Sequence, residues 1–166
     1  MKKIVFWLAF ATFSFADLVN EGLNAAYAGE HKKAINLLLK ACESKDATGC
    51  YNLGFIYYQG VGVKRDYQKA FSLYKKACKN GDANGCNALG SMYYQGVGVE
   101  RDYQKAFNLY KKACESKSAK GCYNLGFMHY KGVGVKQDRS KAREIYGKAC
   151  DLGMKIGCDN YKTLSE

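Results

Sequence analysis

The chain has 166 residues, eight cysteines, no proline and a formal net charge of +11. Its length suits a single domain, and the absence of proline favours a nearly all-helical chain because proline interrupts helices. The positive charge argues against basic partners and favours acidic ones, such as cell-surface glycans, peptidoglycan carboxylates or acidic peptides. The alternative is that the lysines only solvate the outer faces of helices.

The first sixteen residues have the pattern of a secretory signal peptide. Two lysines follow Met1, residues 4–15 are apolar except for a threonine and a serine, and small residues precede a plausible cleavage site after Ala16. This apolar run is shorter than the roughly 20 residues of a membrane span, so we expect no transmembrane anchor. We expect a cleaved leader and a secreted protein, in the periplasm or the medium, which argues against nucleic acid as a partner.

A period of 36 residues organises the remaining chain. Residues 51–78 recur as 87–114 with only six differences in 28 positions, and a looser copy occupies 123–150. A fixed period of this length predicts a solenoid built from repeated helical units. Within a single domain, 17–166, we expect these units at approximately 17–45, 46–81, 82–117 and 118–153, with a capping helix at 154–164.

Each unit is predicted to contain two helices. In the second unit, apolar and small residues recur at helical spacing over 49–58, which we name helix A, and over 67–78, which we name helix B. The glycines of 60–63 end helix A, and Asp66 is a suitable N-cap for helix B. Four such pairs and a final capping helix predict nine helices in an all-α fold, an α/α solenoid.

The cysteines follow the same period, in pairs eight residues apart. An exported chain with this many cysteines is expected to form disulfides, and one spacing used four times favours four equivalent local bridges. Structural zinc sites usually place paired ligands two to four residues apart, and the chain has only two histidines, so we expect neither a metal nor another cofactor. The predicted bridges are Cys42–Cys50, Cys78–Cys86, Cys114–Cys122 and Cys150–Cys158.

The repeat resembles a known family. Leu-Gly-x-x-Tyr-x-x-Gly-x-Gly-Val-x-x-Asp-x-x-Lys-Ala, at 53–70, is similar to the Sel1-like repeat, a relative of the tetratricopeptide repeat. Combined with paired cysteines and a leader, it resembles the Helicobacter cysteine-rich proteins. The resemblance implies a right-handed superhelix of disulfide-stapled helix pairs and secretion. It also implies β-lactam binding, with slow penicillin hydrolysis in some members.

No catalytic group can be nominated from the residues. A serine β-lactamase uses Ser-x-x-Lys, Ser-Asp-Asn and Lys-Thr-Gly. The mature chain contains one Ser-x-x-Lys, at Ser72 and Lys75, but no Ser-Asp-Asn, and Lys162-Thr163 continues into Leu164. Catalytic residues therefore stay unassigned, and a weak β-lactamase is an alternative that only the resemblance supports.

Stacked helix pairs form a concave groove, which solenoid proteins use to bind ligands. If helix A lines it, as in tetratricopeptide relatives, residues outside the packing stripe face the ligand, although their rings could instead belong to the core. Such a groove suits a peptide, a peptidoglycan fragment or a β-lactam, and a host-directed protein partner is a further alternative. The predicted groove residues are Tyr51, Asn52, Phe55, Tyr58, Asn87, Ser91, Tyr94, Tyr123, Asn124, Phe127 and Tyr130.

Overall fold

The computed structural model describes residues 15–165, which form nine α-helices and contain no strand. The predicted signal peptide lies outside these residues up to position 14, and the first helix begins at Phe15. None of the helices in this range is both long and apolar enough to cross a membrane. The helices are α1 (Phe15–Tyr27), α2 (His31–Glu43), α3 (Ala47–Gln59), α4 (Tyr67–Lys79), α5 (Ala83–Gln95), α6 (Tyr103–Glu115), α7 (Ala119–Lys131), α8 (Arg139–Asp151) and α9 (Lys155–Thr163).

Each helix packs mainly against its neighbours along the chain, so α1 to α8 form four hairpins and α9 follows the last one. We call α1, α3, α5 and α7 the A helices and α2, α4, α6 and α8 the B helices. Each group of buried core residues combines apolar side chains of two adjacent repeats. The all-α solenoid is therefore confirmed: each repeat completes its core only by stacking on the next.

The ends of the helices follow from capping residues. α3 begins at Ala47, two residues before the predicted start, because the Asp46 carboxylate accepts a hydrogen bond from the Gly49 amide at 2.7 Å. α4 begins where predicted, since the Asp66 carboxylate accepts from the Lys69 amide at 2.9 Å. Gly60 ends α3 with a φ of +76°, a conformation that glycine adopts without steric cost.

The A helices lie on the inner side of the curved stack. A helices of successive repeats contact one another, α1 with α3, α3 with α5 and α5 with α7, whereas successive B helices make at most isolated contacts. In a curved stack, the helices on the concave side are the closer ones. The A helices therefore line the concave surface, where the predicted groove residues are located.

Disulfides join each B helix to the helix that follows it, at a junction that we call the corner. All four predicted bridges form, with Cα–Cα distances of 4.4 to 4.5 Å. At each corner a glycine precedes the second cysteine and permits this close approach. At Gly85, for example, a Cβ atom would lie 2.6 Å from the Cβ of Ala77 and 3.1 Å from the backbone nitrogen of Cys78.

Candidate functional site

The inner and outer surfaces of the solenoid differ in charge. The helices α3, α5 and α7 contain no aspartate or glutamate, and their inner positions carry amide, hydroxyl and aromatic side chains. The outer helix α4, by contrast, carries four exposed lysines and no acidic residue. The concave surface is therefore suited to hydrogen bonding and ring contacts, and most of the positive charge lies on the convex side.

The predicted groove tyrosines of the second repeat are half-buried. The ring of Tyr51 lies 5.8 Å from that of Tyr74, and the ring of Tyr58 lies 5.3 Å from that of Tyr67. One face of each ring thus packs on helix B of its own repeat, as the core interpretation expects, while the rest of the ring is exposed. Phe55 is 45% exposed and makes no comparable ring contact among the described residues.

The fourth repeat has the same arrangement. Tyr123 packs on Tyr146 with ring centroids 5.6 Å apart. Cations stand over Tyr130, the Lys131 ammonium at 5.1 Å and the Arg139 guanidinium at 5.5 Å from the ring centroid. Half-buried rings with an accessible edge therefore occupy corresponding inner positions in the second and fourth repeats.

The third repeat interrupts this aromatic surface with polar groups. Asn87 occupies the position of Tyr51 and Tyr123, 36 residues from each. No tyrosine ring from position 87 covers Tyr110, and the Tyr110 hydroxyl donates to Ser91 Oγ at 3.1 Å. The Ser91 hydroxyl in turn donates to the backbone carbonyl of Asn87 at 3.1 Å. The concave surface thus has a polar centre between two aromatic sections.

A ring contact and an amide pair connect the third and fourth repeats. Tyr94 and Phe127 have ring centroids 6.4 Å apart. The Asn124 side-chain amide donates to Asn87 Oδ1 at 2.8 Å, which leaves Asn124 Oδ1 and Asn87 Nδ2 without a partner among the described residues. Asn52 differs, because its amide donates to the Thr48 carbonyl of its own helix at 2.9 Å. The amide pair therefore presents one free acceptor and one free donor.

Burial raises the pKa of two phenols on the B helices. It raises the pKa of Tyr110 to about 12, an effect that the hydrogen bond with Ser91 partly offsets. It also raises the pKa of Tyr146 to about 12, with smaller contributions from Tyr123 and an opposing hydrogen bond with Asn160. At physiological pH these phenols carry no charge that would repel an anion.

A cavity of about 210 Å³ lies where α9 meets the fourth repeat, beside three of the predicted groove residues. The sequence predicted α9 only as a capping helix, and its contribution of side chains to this cavity was not predicted. The period itself contained the signal, because Asn160 lies 36 residues after Asn124 and 108 after Asn52. The cavity is lined by Tyr123, Phe127, Tyr130, Tyr146, Asn160, Thr163 and Leu164.

Among the described residues, no serine stands beside a catalytic base. Ser72 is exposed on α4, where it lines an outer groove with Leu39, Tyr57 and Lys69, and it has no hydrogen bond to Lys75. Over the described part of the chain, no group of histidine, cysteine, aspartate and glutamate side chains has the arrangement of a metal site.

The model of the Sel1 repeat family matches residues 25–46, 47–82, 83–118 and 119–154. Among curated proteins, HcpC of Helicobacter pylori, which is named as a candidate β-lactamase, is 43% identical over 49 residues. These residues are 30% of this chain and 17% of HcpC, so the likeness covers only a small part of that relative.

Two solved structures resemble most of the solenoid. Helicobacter pylori cysteine-rich protein B is 37% identical, with a TM-score of 0.64, over 77% of this chain and 92% of its own. A Sel1 repeat protein from Oxalobacter formigenes is 24% identical, with a TM-score of 0.81, over 86% of this chain and 59% of its own, and supports the fold alone. The chain belongs to the Sel1 repeat family and, within it, to the Helicobacter cysteine-rich proteins.

Proposed function

We propose that the chain is an exported binding module whose concave surface holds an extended peptide or a peptidoglycan fragment. The observation that carries the proposal is the amide pair of Asn87 and Asn124, 2.8 Å apart, with one donor and one acceptor left free. An extended backbone offers one acceptor and one donor per residue, which this pair complements. Sel1 repeats typically mediate protein interactions, which agrees with a peptide ligand.

The surrounding surface supports the same ligand class. Half-buried tyrosines on both sides of the amide pair provide apolar contact area with a polar edge, and their packing on helix B limits the entropy lost on binding. The absence of acidic side chains from α3, α5 and α7 avoids repulsion of a terminal carboxylate. A peptidoglycan stem peptide, with its backbone amides and free carboxylate, has the required chemistry.

Export is supported by the four disulfides, since such bonds persist in oxidising compartments outside the cytoplasm. Sequencing the amino terminus of the exported protein tests the predicted leader: a mature chain is expected to begin at Asp17. A protein that retains residues 1–16 after export would contradict that cleavage site.

Penicillin enters the proposal as a mimic of a peptide terminus. HcpC, which matches part of this chain, is named as a candidate β-lactamase, and this supports β-lactam binding as well as the alternative of slow hydrolysis. Because no described serine is paired with a base, we propose retention of penicillin without efficient turnover. Turnover by the purified protein that persists through every purification step would favour the enzyme instead.

The amide pair gives the direct test. Titration of the disulfide-bonded protein with acetyl-Lys-D-Ala-D-Ala, followed by calorimetry, should show saturable binding that Asn124→Ala weakens about tenfold. That factor corresponds to about 1.4 kcal/mol, within the range of about 0.5–1.5 kcal/mol for the net contribution of one hydrogen bond. Alanine already occupies the equivalent position 88, so the variant should fold. Asn108→Ala, at an exposed outer position of α6, is the matched control.

Two outcomes would overturn the proposal. One is the absence of saturable binding for both the peptide and fluorescently labelled penicillin. The other is equal affinity of Asn124→Ala, Asn108→Ala and the unaltered protein, because the ligand would then bind elsewhere.

A further inference from the structure

The convex side has grooves between successive B helices, and the A helix beneath forms the floor of each. In the first two, a tyrosine of the floor stacks under a lysine of the next B helix. The Lys69 ammonium lies 4.9 Å from the Tyr57 ring centroid, and the Lys105 ammonium lies 5.3 Å from that of Tyr93. In each pair the ammonium stands over the face of the ring, a favourable cation–π contact.

The groove between α6 and α8 breaks this pattern. His129 stands where the other two have tyrosine, and Lys141 corresponds to Lys69 and Lys105. Lys141 donates to the Glu144 carboxylate at 2.7 Å, and Lys148 pairs with the same carboxylate at 3.0 Å. The replacement of one ring thus coincides with a different set of ion pairs at the rim.

His129 has an unsatisfied polar atom. Its Nδ1 is buried and has no hydrogen-bond partner, and its ring meets Phe107 edge to face, with centroids 5.4 Å apart. A buried N–H without an acceptor costs about 1–3 kcal/mol, so the proton is favoured on Nε2, the accessible nitrogen. The ring therefore offers an N–H donor at the floor of the groove.

The surroundings of His129 favour the neutral form of its imidazole. Burial lowers its pKa, an effect that Asp138 and Glu144 oppose and Lys141 reinforces. The charged groups around His129 come from both neighbouring B helices. α6 contributes Lys111 and Glu115, and α8 with its N-cap contributes Asp138, Lys141, Glu144 and Lys148.

The groove has the size and lining of a small-molecule site. Its volume is about 340 Å³, within the range of ligand pockets. Phe107, Leu125 and Ile145 form its apolar part. Lys111 at its rim has no ion pair among the described residues and takes the place that Leu39 holds in the first groove. A donor, a lysine without an ion pair and an apolar wall thus line one cavity, together with Glu115.

We propose that this outer groove binds a small organic acid, with its apolar body against Phe107, Leu125 and Ile145 and its anionic group between His129 and Lys111. A carboxylate accepts from both groups at once, which satisfies the donor at the floor and pairs with the Lys111 ammonium. The site lies on the opposite side of the solenoid from the proposed peptide groove and does not depend on it.

Phenylacetate is a suitable probe, and phenylacetamide is its uncharged analogue. The chain has two histidines, and His31 lies on α2 at the other end of the solenoid. Imidazole NMR signals of the disulfide-bonded protein should therefore show saturable shifts for His129 with phenylacetate and none for His31. Phenylacetamide should bind at least tenfold more weakly because it lacks the charge.

Two variants test the residues. His129→Tyr restores the side chain of positions 57 and 93, so it should fold, and it should lose phenylacetate-induced amide shifts in α7. Lys111→Leu restores the side chain of position 39 and should weaken binding about tenfold. Equal shifts of both histidines, a response to phenylacetamide as strong as to phenylacetate, or unaltered binding by His129→Tyr would each overturn the proposal.

Discussion

The corners between repeats and the concave surface of the A helices vary in opposite ways along the solenoid. At the corners, every repeat uses an alanine and a cysteine at the end of helix B and a glycine and a cysteine in the next helix. On the concave surface, the position of Tyr51 becomes Asn87 and then Tyr123, and that of Phe55 becomes Ser91 and then Phe127. The two regions have the same helices but different chemistry.

Packing accounts for the difference. At a corner, the two cysteine Cα atoms are 4.4 Å apart and a Cβ on Gly85 would overlap that of Ala77, so few side chains are sterically possible. The concave residues are half-buried or, in the case of Phe55, exposed, so their outer edges can change without altering the stack. The corners hold the shape, and the concave surface determines what the repeats can bind.

Removal of a central bridge should have the largest effect on stability. Cys78→Ala with Cys86→Ala opens a loop whose closure is worth roughly 2–3 kcal/mol in the chain-entropy model. The expected result is a fall of that size in the free energy of unfolding, measured by urea denaturation.

The bridge at the end of the chain is the matched control. Cys150→Ala with Cys158→Ala frees only α9, which contacts the rest of the solenoid through α8, so its loss should leave the main unfolding transition nearly unchanged. An equal loss for both double variants would mean that the corners do not differ by position in the stack.

A smaller effect should follow from filling a corner. Gly85→Ala places a Cβ 2.6 Å from that of Ala77, and overpacking of this kind costs about 1–3 kcal/mol. Gly147→Ala is the control, since its Cβ would lie 3.2 Å from the exposed side chain of Tyr161, which can move. That variant should gain up to about 1 kcal/mol from helix propensity. Thermal unfolding of both variants checks the contrast, and stabilisation by Gly85→Ala would contradict the packing argument.

The sequence was sufficient to predict the repeated parts of the fold. The cysteine spacing predicted the four bridges, the Asp66 cap predicted the start of α4, and the glycines of 60–63 predicted the turn. Each of these features depends on residues within a few positions of one another. The earlier start of α3 was missed because the stripe of apolar residues begins at Cys50, whereas the cap, Asp46, is polar.

Contacts between repeats were harder to predict. The bond between Asn124 and Asn87 joins residues 37 positions apart, and nothing in either helix alone indicates it. Lys69 and Lys105 stand over tyrosine rings, whereas Lys141 bonds to Glu144. This difference depends on Glu144 and on the replacement of tyrosine by His129. The sequence placed these residues on faces of helices, but their pairing depends on how one repeat is set against the next.

The buried Tyr110 hydroxyl, in the polar centre of the concave surface, should make the stability of the protein depend on pH in the alkaline range. The folded pKa of Tyr110 is about 12, above the value of about 10 in an unfolded chain. The folded state thus holds the phenol proton more tightly. The resulting stability is complete below pH 10 and is lost as the pH rises towards 12. Urea midpoints measured from pH 8 to 11 should therefore fall above pH 10.

Two variants separate the hydroxyl from its hydrogen bond. Tyr110→Phe should cost about 1 kcal/mol at pH 8 and should make the alkaline decline shallower, leaving the part that comes from the buried phenols of Tyr74 and Tyr146. Ser91→Ala removes the partner at 3.1 Å but retains the buried phenol, so it should carry a similar cost at pH 8 and keep the decline. If the urea midpoint of the Tyr110→Phe variant declines as steeply as that of the unaltered protein, other groups dominate the alkaline transition. The polar centre would then contribute through its hydrogen bonds alone.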